Sequence, residues 1–201
     1  MKRAFDIFCS FVGLIVLSPF FILISLAIVF TSRGGVFFTQ VRVGKNNTNF
    51  HLYKFRTMKT GSEKKGQLTV GSRDSRITGI GYFLRKLKLD ELPQLINVLI
   101  GDMSLVGPRP EVRRYVDLYS NEQKKVLGVR PGITDYASLK YFEESDLLAK
   151  SADPEKTYIE IIMPEKLRIN LEYIEKASLG EDIRIIFKTI GRIFRRKTAS
   201  S

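Results

Sequence analysis

The sequence predicts an α+β chain that is mostly helical, with an N-terminal re-entrant membrane helix and a compact cytoplasmic domain carrying a small β-hairpin and interfacial amphipathic helices. Three observations predict it. Ile7 to Ser32 contains no charged residue. Two β-rich stretches, Val36 to Val43 and Phe50 to Phe55, flank a Gly/Asn-rich turn. Apolar residues elsewhere recur at helical spacing, most clearly at Leu92, Leu95, Ile96 and Leu99.

The first element is the uncharged run. A stretch longer than about 18 apolar residues is membrane-seeking. A removable signal peptide fits poorly: the run is too long for its apolar region, and no small-x-small cleavage site follows. Ser18-Pro19 sits near the middle. Proline removes a backbone donor and clashes with the carbonyl four residues back, so a kink is expected there, with Ser18 free to bond the released backbone. Lys2 and Arg3 precede the run; Arg33, Arg42 and Lys45 follow it. Positive charge on both flanks pulls both ends toward the cytoplasm, which a bent helix satisfies. A kinked spanning helix is the alternative, because proline is tolerated in spanning helices. The boundary falls at 33/34, leaving residues 34–201 as the cytoplasmic domain.

Further elements follow in order. The hairpin turns through Gly44 to Asn49, and Lys59 to Arg76, with Gly61, Gly66 and Gly71, is a mobile polar loop. Gly81 to Lys88 forms a helix with Phe83, Leu84 and Leu87 on one face. The next helix takes Asp90 as N-cap and Pro93 in its first turn, and stops at Gly101. Pro108-Arg109-Pro110 and Arg130-Pro131-Gly132 are stiff, basic loop elements. Asp153-Pro154 starts another helix, and Met163 to Lys176 forms one more. The last runs from Asp182 to about Arg196, with Ile183, Ile186, Phe187, Ile190, Ile193 and Phe194 on one face and Arg184, Lys188, Arg192, Arg195 and Arg196 mostly elsewhere. Such a helix suits a membrane interface, or equally a core-packing role.

Composition narrows the function. The 201 residues allow one domain, or one domain with a small appendage, and no internal repeat or second-domain linker is visible. Lys plus Arg exceed Asp plus Glu by 33 to 21, a charge of +12 that favours nucleic acid, phosphorylated substrates or an anionic membrane face without choosing among them. A single cysteine, Cys9, excludes an intramolecular disulfide and a Cys-based zinc cluster. A single histidine, His51, argues against a His-rich metal site or a Ser-His-Asp triad and reads as an ordinary strand residue.

Asp90-Glu91 carries the chemistry. Two adjacent carboxylates can simply cap a helix, but Arg85, Lys86 and Lys88 lie just upstream, and Arg56, Arg109 and Arg130 occur in Gly- or Pro-marked segments. An acidic pair among cations suits a site where a carboxylate holds Mg²⁺ and arginines hold a diphosphate. Pro93 offers no N–H, which leaves Asp90 fewer backbone donors to cap.

Several linked motifs then resemble a known family. Lys54-Phe55-Arg56-Thr57-Met58, Arg76-Ile77-Thr78 through Gly81, Leu89-Asp90-Glu91-Leu92-Pro93-Gln94-Leu95, Asn97 through Pro110, and Arg130-Pro131-Gly132-Ile133-Thr134 are similar, in order, to the bacterial sugar transferases, or monotopic phosphoglycosyl transferases. Gln40, Arg42 and Gly44 match the family's first hairpin. The resemblance covers nearly the whole chain, which looks like the minimal form without the extra N-terminal membrane domain of larger members. It implies transfer of a sugar-1-phosphate from a UDP-sugar to polyprenyl phosphate, through a covalent phosphosugar–aspartate, with release of UMP. Asp90 would be the nucleophile and a Mg²⁺ ligand, and Glu91 would orient groups or move a proton. Lys54, Arg56, Arg85, Arg109 and Arg130 would meet phosphates, with Pro108 and Pro110 fixing Arg109. The resemblance also implies a membrane helix bent at Ser18-Pro19 and a catalytic domain on the cytoplasmic face of the bacterial inner membrane, in contact with membrane lipids. One departure is Asp135-Tyr136-Ala137-Ser138-Leu139 and the stretch through Glu143 and Glu144, so no sugar specificity, polyprenyl chain length or oligomeric state is implied. The rival class, a membrane-anchored basic protein that binds anionic lipid or nucleic acid, accounts for the charge but not for the acidic pair, and no nucleic-acid motif is visible.

Overall fold

The computed structural model describes residues 1–62, 68–71 and 74–198; Gly66 and the side chain of Arg196 lie outside the described residues. The apolar run forms one helix, α1 (Lys2–Thr31), which stays helical through Pro19. Pro19 has no N–H for the Ile15 carbonyl, and Ser18 Oγ donates to that carbonyl instead, at 2.8 Å. The released acceptor is thus satisfied inside the helix. Phe8, Phe11, Ile15, Val16, Phe20 and Phe30 are exposed along it.

Both ends of α1 are tied to one body. At the start, buried Asp6 accepts from Ser104 Oγ at 2.9 Å and from the Leu105 amide at 3.1 Å. Arg3 donates to the carbonyls of Val98 and Leu99, and Lys2 pairs with Asp182. At the far end Ile24 and Ile28 pack with Phe55 and Leu84. The Arg56 guanidinium there donates to the carbonyls of Ser32, Arg33 and Gly35.

The expected hairpin forms from β1 (Phe37–Val43) and β2 (Asn49–Phe55), antiparallel, with Val43 opposite Asn49 and Phe37 opposite Phe55. His51 is an exposed residue of β2, an ordinary strand position. Helix α2 (Gly79–Lys86) starts earlier than the spacing predicts, because Thr78 caps it by accepting from the Gly81 amide at 3.0 Å. It ends earlier too, since Lys88 adopts the left-handed conformation at φ 57°. A 3₁₀ turn, Leu89–Glu91, follows, and α3 (Gln94–Ile100) begins after Pro93. Asp90 therefore does not cap α3 as expected: the cap position falls on Pro93, and the carboxylate sits inside the preceding turn. Gly101, at φ 105°, ends α3 as expected. Buried Asn97 fastens α3 to β2, accepting from the Tyr53 amide at 3.0 Å and donating to the His51 carbonyl at 2.8 Å.

A second, parallel pair joins β3 (Ser104–Val106) to β4 (Gly132–Thr134), which the sequence did not suggest. Around it lie α4 (Arg113–Val116), α5 (Tyr136–Lys140), α6 (Glu144–Ala149), α7 (Pro154–Thr157), α8 (Met163–Lys176) and α9 (Leu179–Thr198). Asp153 caps α7 through the Lys156 amide, and α8 has the expected bounds. The main core gathers Val43, Tyr115, Tyr158, Ile162, Met163 and Leu167. The apolar face expected of the last helix divides: Ile186 turns inward beside fully buried Ile185, whereas Ile183, Phe187, Ile190 and Phe194 are exposed.

Gly107 and Gly132 permit the close approach at the β3–β4 joint. A Cβ on Gly132 would lie 2.1 Å from the Gly107 nitrogen, and only glycine fits such contact. Gly132→Ala is therefore expected to lose about 1–3 kcal/mol of stability through overpacking. Chemical denaturation of the purified variant checks this; an unchanged midpoint would mean the joint is looser than described.

Candidate active site

Lys88 turns the chain left-handed immediately before the 3₁₀ turn that carries Asp90 and Glu91, and both carboxylates are buried. Glu91 is fully engaged. Arg109 donates to it bidentately, Nη1 to Oε2 at 3.1 Å and Nη2 to Oε1, and Lys54 Nζ from β2 reaches Oε1 at 3.2 Å. Burial pushes the Glu91 carboxyl up, but Arg109, Lys54 and Lys88 together outweigh burial and hold it well below the usual carboxylate range. Burial in turn pulls the Lys54 ammonium down to about 8, despite its partner Glu91. Facing Glu91 strengthens Arg109's hold on its proton.

Asp90 is in the opposite state. Its Oδ1 is buried without a hydrogen-bond partner. Burial first, and the charge of Glu91 second, raise its carboxyl above the ordinary value, against the pull of Lys54, Lys88 and Arg85. Two neighbouring carboxylates are thus driven apart, one locked as an anion by cations and one left with an open oxygen. Such divergence marks catalytic sites more often than structural ones.

The surrounding frame positions these groups. Arg109 lies between Pro108, whose carbonyl accepts from the Gly132 amide at 3.0 Å, and Pro110, whose carbonyl accepts from Arg42 at 3.0 Å. Arg42 also binds Gln40. The Arg109 amide donates to buried Asp135 at 2.9 Å, and Asp135 caps α5 through Ser138. Asp135 thus holds the Arg109 backbone in place. Arg85 of α2 donates to Thr69 Oγ1 at 3.0 Å and keeps a buried Nη1 without a partner.

Lys54, Arg85 and Arg109 therefore gather at the dyad, with Lys88. Arg56 and Arg130 do not join them. Arg56 serves the carbonyls at the end of α1, and exposed Arg130 donates to the Gly101 carbonyl at the opposite end of α3 from the dyad. Ser18 and Pro19 lie within α1. Asn97 and Asp135 escaped the sequence reasoning as positioning residues, and so did Gln94, which is buried one turn after Asp90 with its Nε2 unpartnered. Gln94 and Asn97 stood within quoted motifs and Asp135 was noted as a departure, but nothing local marked any of the three as a positioning residue.

Among the described residues no group of three or more His, Cys, Asp or Glu side chains could cage a metal ion. Both Glu91 oxygens are taken by cations, which leaves Asp90 Oδ1 as the unpartnered carboxylate oxygen of the dyad. That donor set fits a hard cation such as Mg²⁺, which uses one or two carboxylates with substrate phosphates and water.

The family model described as bacterial sugar transferase matches residues 1–196. A UDP-N-acetylgalactosamine-undecaprenyl-phosphate N-acetylgalactosaminephosphotransferase of Aeromonas hydrophila is 39% identical over 196 residues, covering 96% of this chain and 43% of the relative. A UDP-glucose:undecaprenyl-phosphate glucose-1-phosphate transferase of Escherichia coli (strain K12) is 37% identical, covering 99% and 41%. The exopolysaccharide production protein PSS of Rhizobium leguminosarum bv. phaseoli is 39% identical, covering 94% and 93%. The chain belongs to the bacterial sugar transferase family. It spans about two fifths of the length of the first two relatives and nearly all of the third.

The dyad's electrostatics predict opposite stability effects. Asp90 binds its proton more tightly folded than unfolded. Its ionisation therefore destabilises the fold above the raised value, and the penalty disappears below the ordinary aspartate value of about 4. Asp90→Asn should melt above wild type at neutral pH, the gain shrinking as pH falls through the folded value. Glu91 is depressed, so it contributes stability at neutral pH that is lost as pH falls through its folded value. Glu91→Gln strips Arg109 and Lys54 of their partner and should cost about 3–5 kcal/mol. Thermal unfolding of both variants over a pH series checks this, and the reverse ranking would contradict it.

Proposed function

We propose that this chain transfers a sugar-1-phosphate from a UDP-sugar to polyprenyl phosphate, releasing UMP, as the first membrane step of glycoconjugate or polysaccharide assembly. The observation that carries the reading is Asp90: a buried carboxylate with an open oxygen, ringed by Lys54, Lys88 and Arg85, beside a Glu91 already neutralised. The names of the relatives supply the substrate class, undecaprenyl phosphate and a sugar phosphate, and they differ in the sugar.

In the first step an Asp90 oxygen attacks the sugar-linked phosphorus. The bond to the UMP oxygen breaks, and UMP leaves with that electron pair. A phosphosugar–Asp90 mixed anhydride remains. In the second step an oxygen of polyprenyl phosphate attacks the same phosphorus and frees the Asp90 carboxylate, giving the polyprenyl diphosphate sugar. Arg85 and Lys88 offset the charge on the phosphates as it shifts. Glu91 holds Arg109 and Lys54 in position, and Lys54, with its lowered affinity for a proton, is the group best placed to exchange one near neutral pH. Asp90 is the residue that would hold Mg²⁺, which when bound would supply charge compensation for the diphosphate.

The same reading places 1–33 in the membrane as a re-entrant helix bending at Ser18-Pro19, with 34–201 at the cytoplasmic face of the inner membrane. It is supported by the ties of both α1 ends to one charged body and by the apolar side chains exposed between them. A straight helix of this length would rise ~45 Å, more than the ~30 Å hydrocarbon core.

Two experiments test the proposal. The chain, incubated with undecaprenyl phosphate, Mg²⁺ and a panel of UDP-sugars, should release UMP with at least one sugar, and Asp90→Asn should abolish release. Turnover of the variant within about tenfold of wild type, a barrier change of only ~1.4 kcal/mol, would remove Asp90 as nucleophile. For topology, Ala4→Cys and Lys124→Cys in a Cys9→Ser background should both resist labelling from outside intact cells. Labelling of position 4 from outside would establish a spanning helix.

A further inference from the structure

Three polar side-chain atoms at the dyad are buried without a hydrogen-bond partner: Asp90 Oδ1, Arg85 Nη1 and Gln94 Nε2. The first two belong to residues that already have a part in the transfer reaction. Gln94 has none, although it is only 1% exposed. A buried donor left unbonded lowers stability, and an apolar side chain of the same volume would avoid that loss. Packing alone therefore does not explain a glutamine at this position.

The backbone sets where its amide lies. Leu92 and Pro93 are both right-handed helical, so the 3₁₀ turn Leu89–Glu91 runs into α3 without a break. Long side chains on a helix lie back over the preceding turn, against the residues three and four positions earlier. For Gln94 those residues are Glu91 and Asp90. Both Glu91 oxygens are engaged by Arg109 and Lys54. The Gln94 amide and the open Asp90 oxygen thus stand one turn apart and do not bond each other. Arg85 faces the same carboxylate: burial weakens its hold on its proton, and the Asp90 charge is the strongest influence opposing that. One acceptor and two donors, all screened from water, are left open around the dyad.

We propose that Gln94 is a further catalytic residue, whose Nε2 donates to a non-bridging oxygen of the transferred phosphoryl group. The inference rests on the transfer reaction proposed above. There an Asp90 oxygen bonds to phosphorus, the bond to the UMP oxygen breaks, and UMP leaves with that electron pair. The phosphorus is then one bond from the carboxylate, and its non-bridging oxygens lie beside Gln94 and Arg85. A single phosphoryl group supplies every missing partner: a covalent bond for the open Asp90 oxygen and acceptors for the two donors. Entry of the substrate must part the side chains that screen these atoms. Once it is in, the absence of water strengthens each hydrogen bond to it. Gln94 is uncharged, so it holds the phosphoryl oxygen without drawing Arg109 or Lys54 away from Glu91.

Full-length wild type, Gln94→Met and Gln94→Glu, assayed with the competent UDP-sugar, test this. Met keeps the volume and Glu the shape, and neither keeps the donor. Both variants should lose about 100-fold or more in kcat, with KM changed by less than about threefold. Gln94→Met should melt at or above wild type, which separates the loss from misfolding. A readout that packing would not move is the pair of diastereomeric UDP-sugars with sulfur at a non-bridging position of the sugar-linked phosphorus. Sulfur accepts a hydrogen bond poorly, so the ratio of the two rates should differ about tenfold between wild type and Gln94→Met. Turnover of either variant within about threefold of wild type, or an unchanged diastereomer ratio, overturns the inference and leaves Asp90 as nucleophile. A Gln94→Met variant that melts far below wild type would show that the amide serves the packing, and would overturn it too. UMP release that survives Asp90→Asn would overturn the transfer reading itself, and this inference with it.

Discussion

The Glu91 carboxylate, shared by Arg109 and Lys54, is the interaction on which the rest of the site depends. It joins three segments far apart in sequence: the second hairpin strand, the 3₁₀ turn, and the loop between the two prolines. Each partner is costly to bury alone, and together they satisfy one another. Neutralising Glu91 also lets Asp90 sit beside it without two full unshielded charges meeting. Asp90 keeps an open oxygen beside it, with Arg109 and Lys54 engaged next door by Glu91. The nearby Asp135 and Arg42 extend the same frame, because they fix the backbone that presents Arg109.

The apolar helix is bound to this frame at both ends. Asp6 and Lys2 reach the strand loop and α9, while Arg56 collects the carbonyls where α1 stops. The distance between dyad and apolar helix is therefore set by the fold and not by a flexible linker. For a reaction between a water-soluble nucleotide sugar and a lipid phosphate, a fixed height relative to the bilayer is what the proposed chemistry needs.

Local signals in the sequence were read well. Gly101 ends a helix, Asp153 starts one, Met163 to Lys176 has its spacing, and Ser18 bonds the carbonyl that Pro19 releases. Most of what failed depended on distant partners. The β3–β4 pair consists of three-residue strands whose partner lies far along the chain, too short for any periodicity. Asp90 read as a cap because Asp before an amphipathic run usually is one, but Pro93 took the cap position. Within the site, an arginine beside glycine or proline reads the same whether it will meet a phosphate or a carbonyl. Lys54, Arg85 and Arg109 reach the dyad, whereas Arg56 and Arg130 bind backbone. On α9, the inward turn of Ile185 is decided by Tyr173 and Val106, which no helical wheel shows.

The central claim is that Asp90 takes the phosphosugar onto itself before any lipid acceptor is involved. Intact-protein mass spectrometry after incubation with the competent UDP-sugar and Mg²⁺, but without polyprenyl phosphate, tests it most directly. The account predicts a protein heavier by one sugar phosphate, one equivalent of UMP, the adduct located on the peptide containing Asp90, and its loss when acceptor is added. An unmodified protein that releases UMP only when acceptor is present would contradict it, and would mean that the lipid phosphate attacks the nucleotide sugar directly.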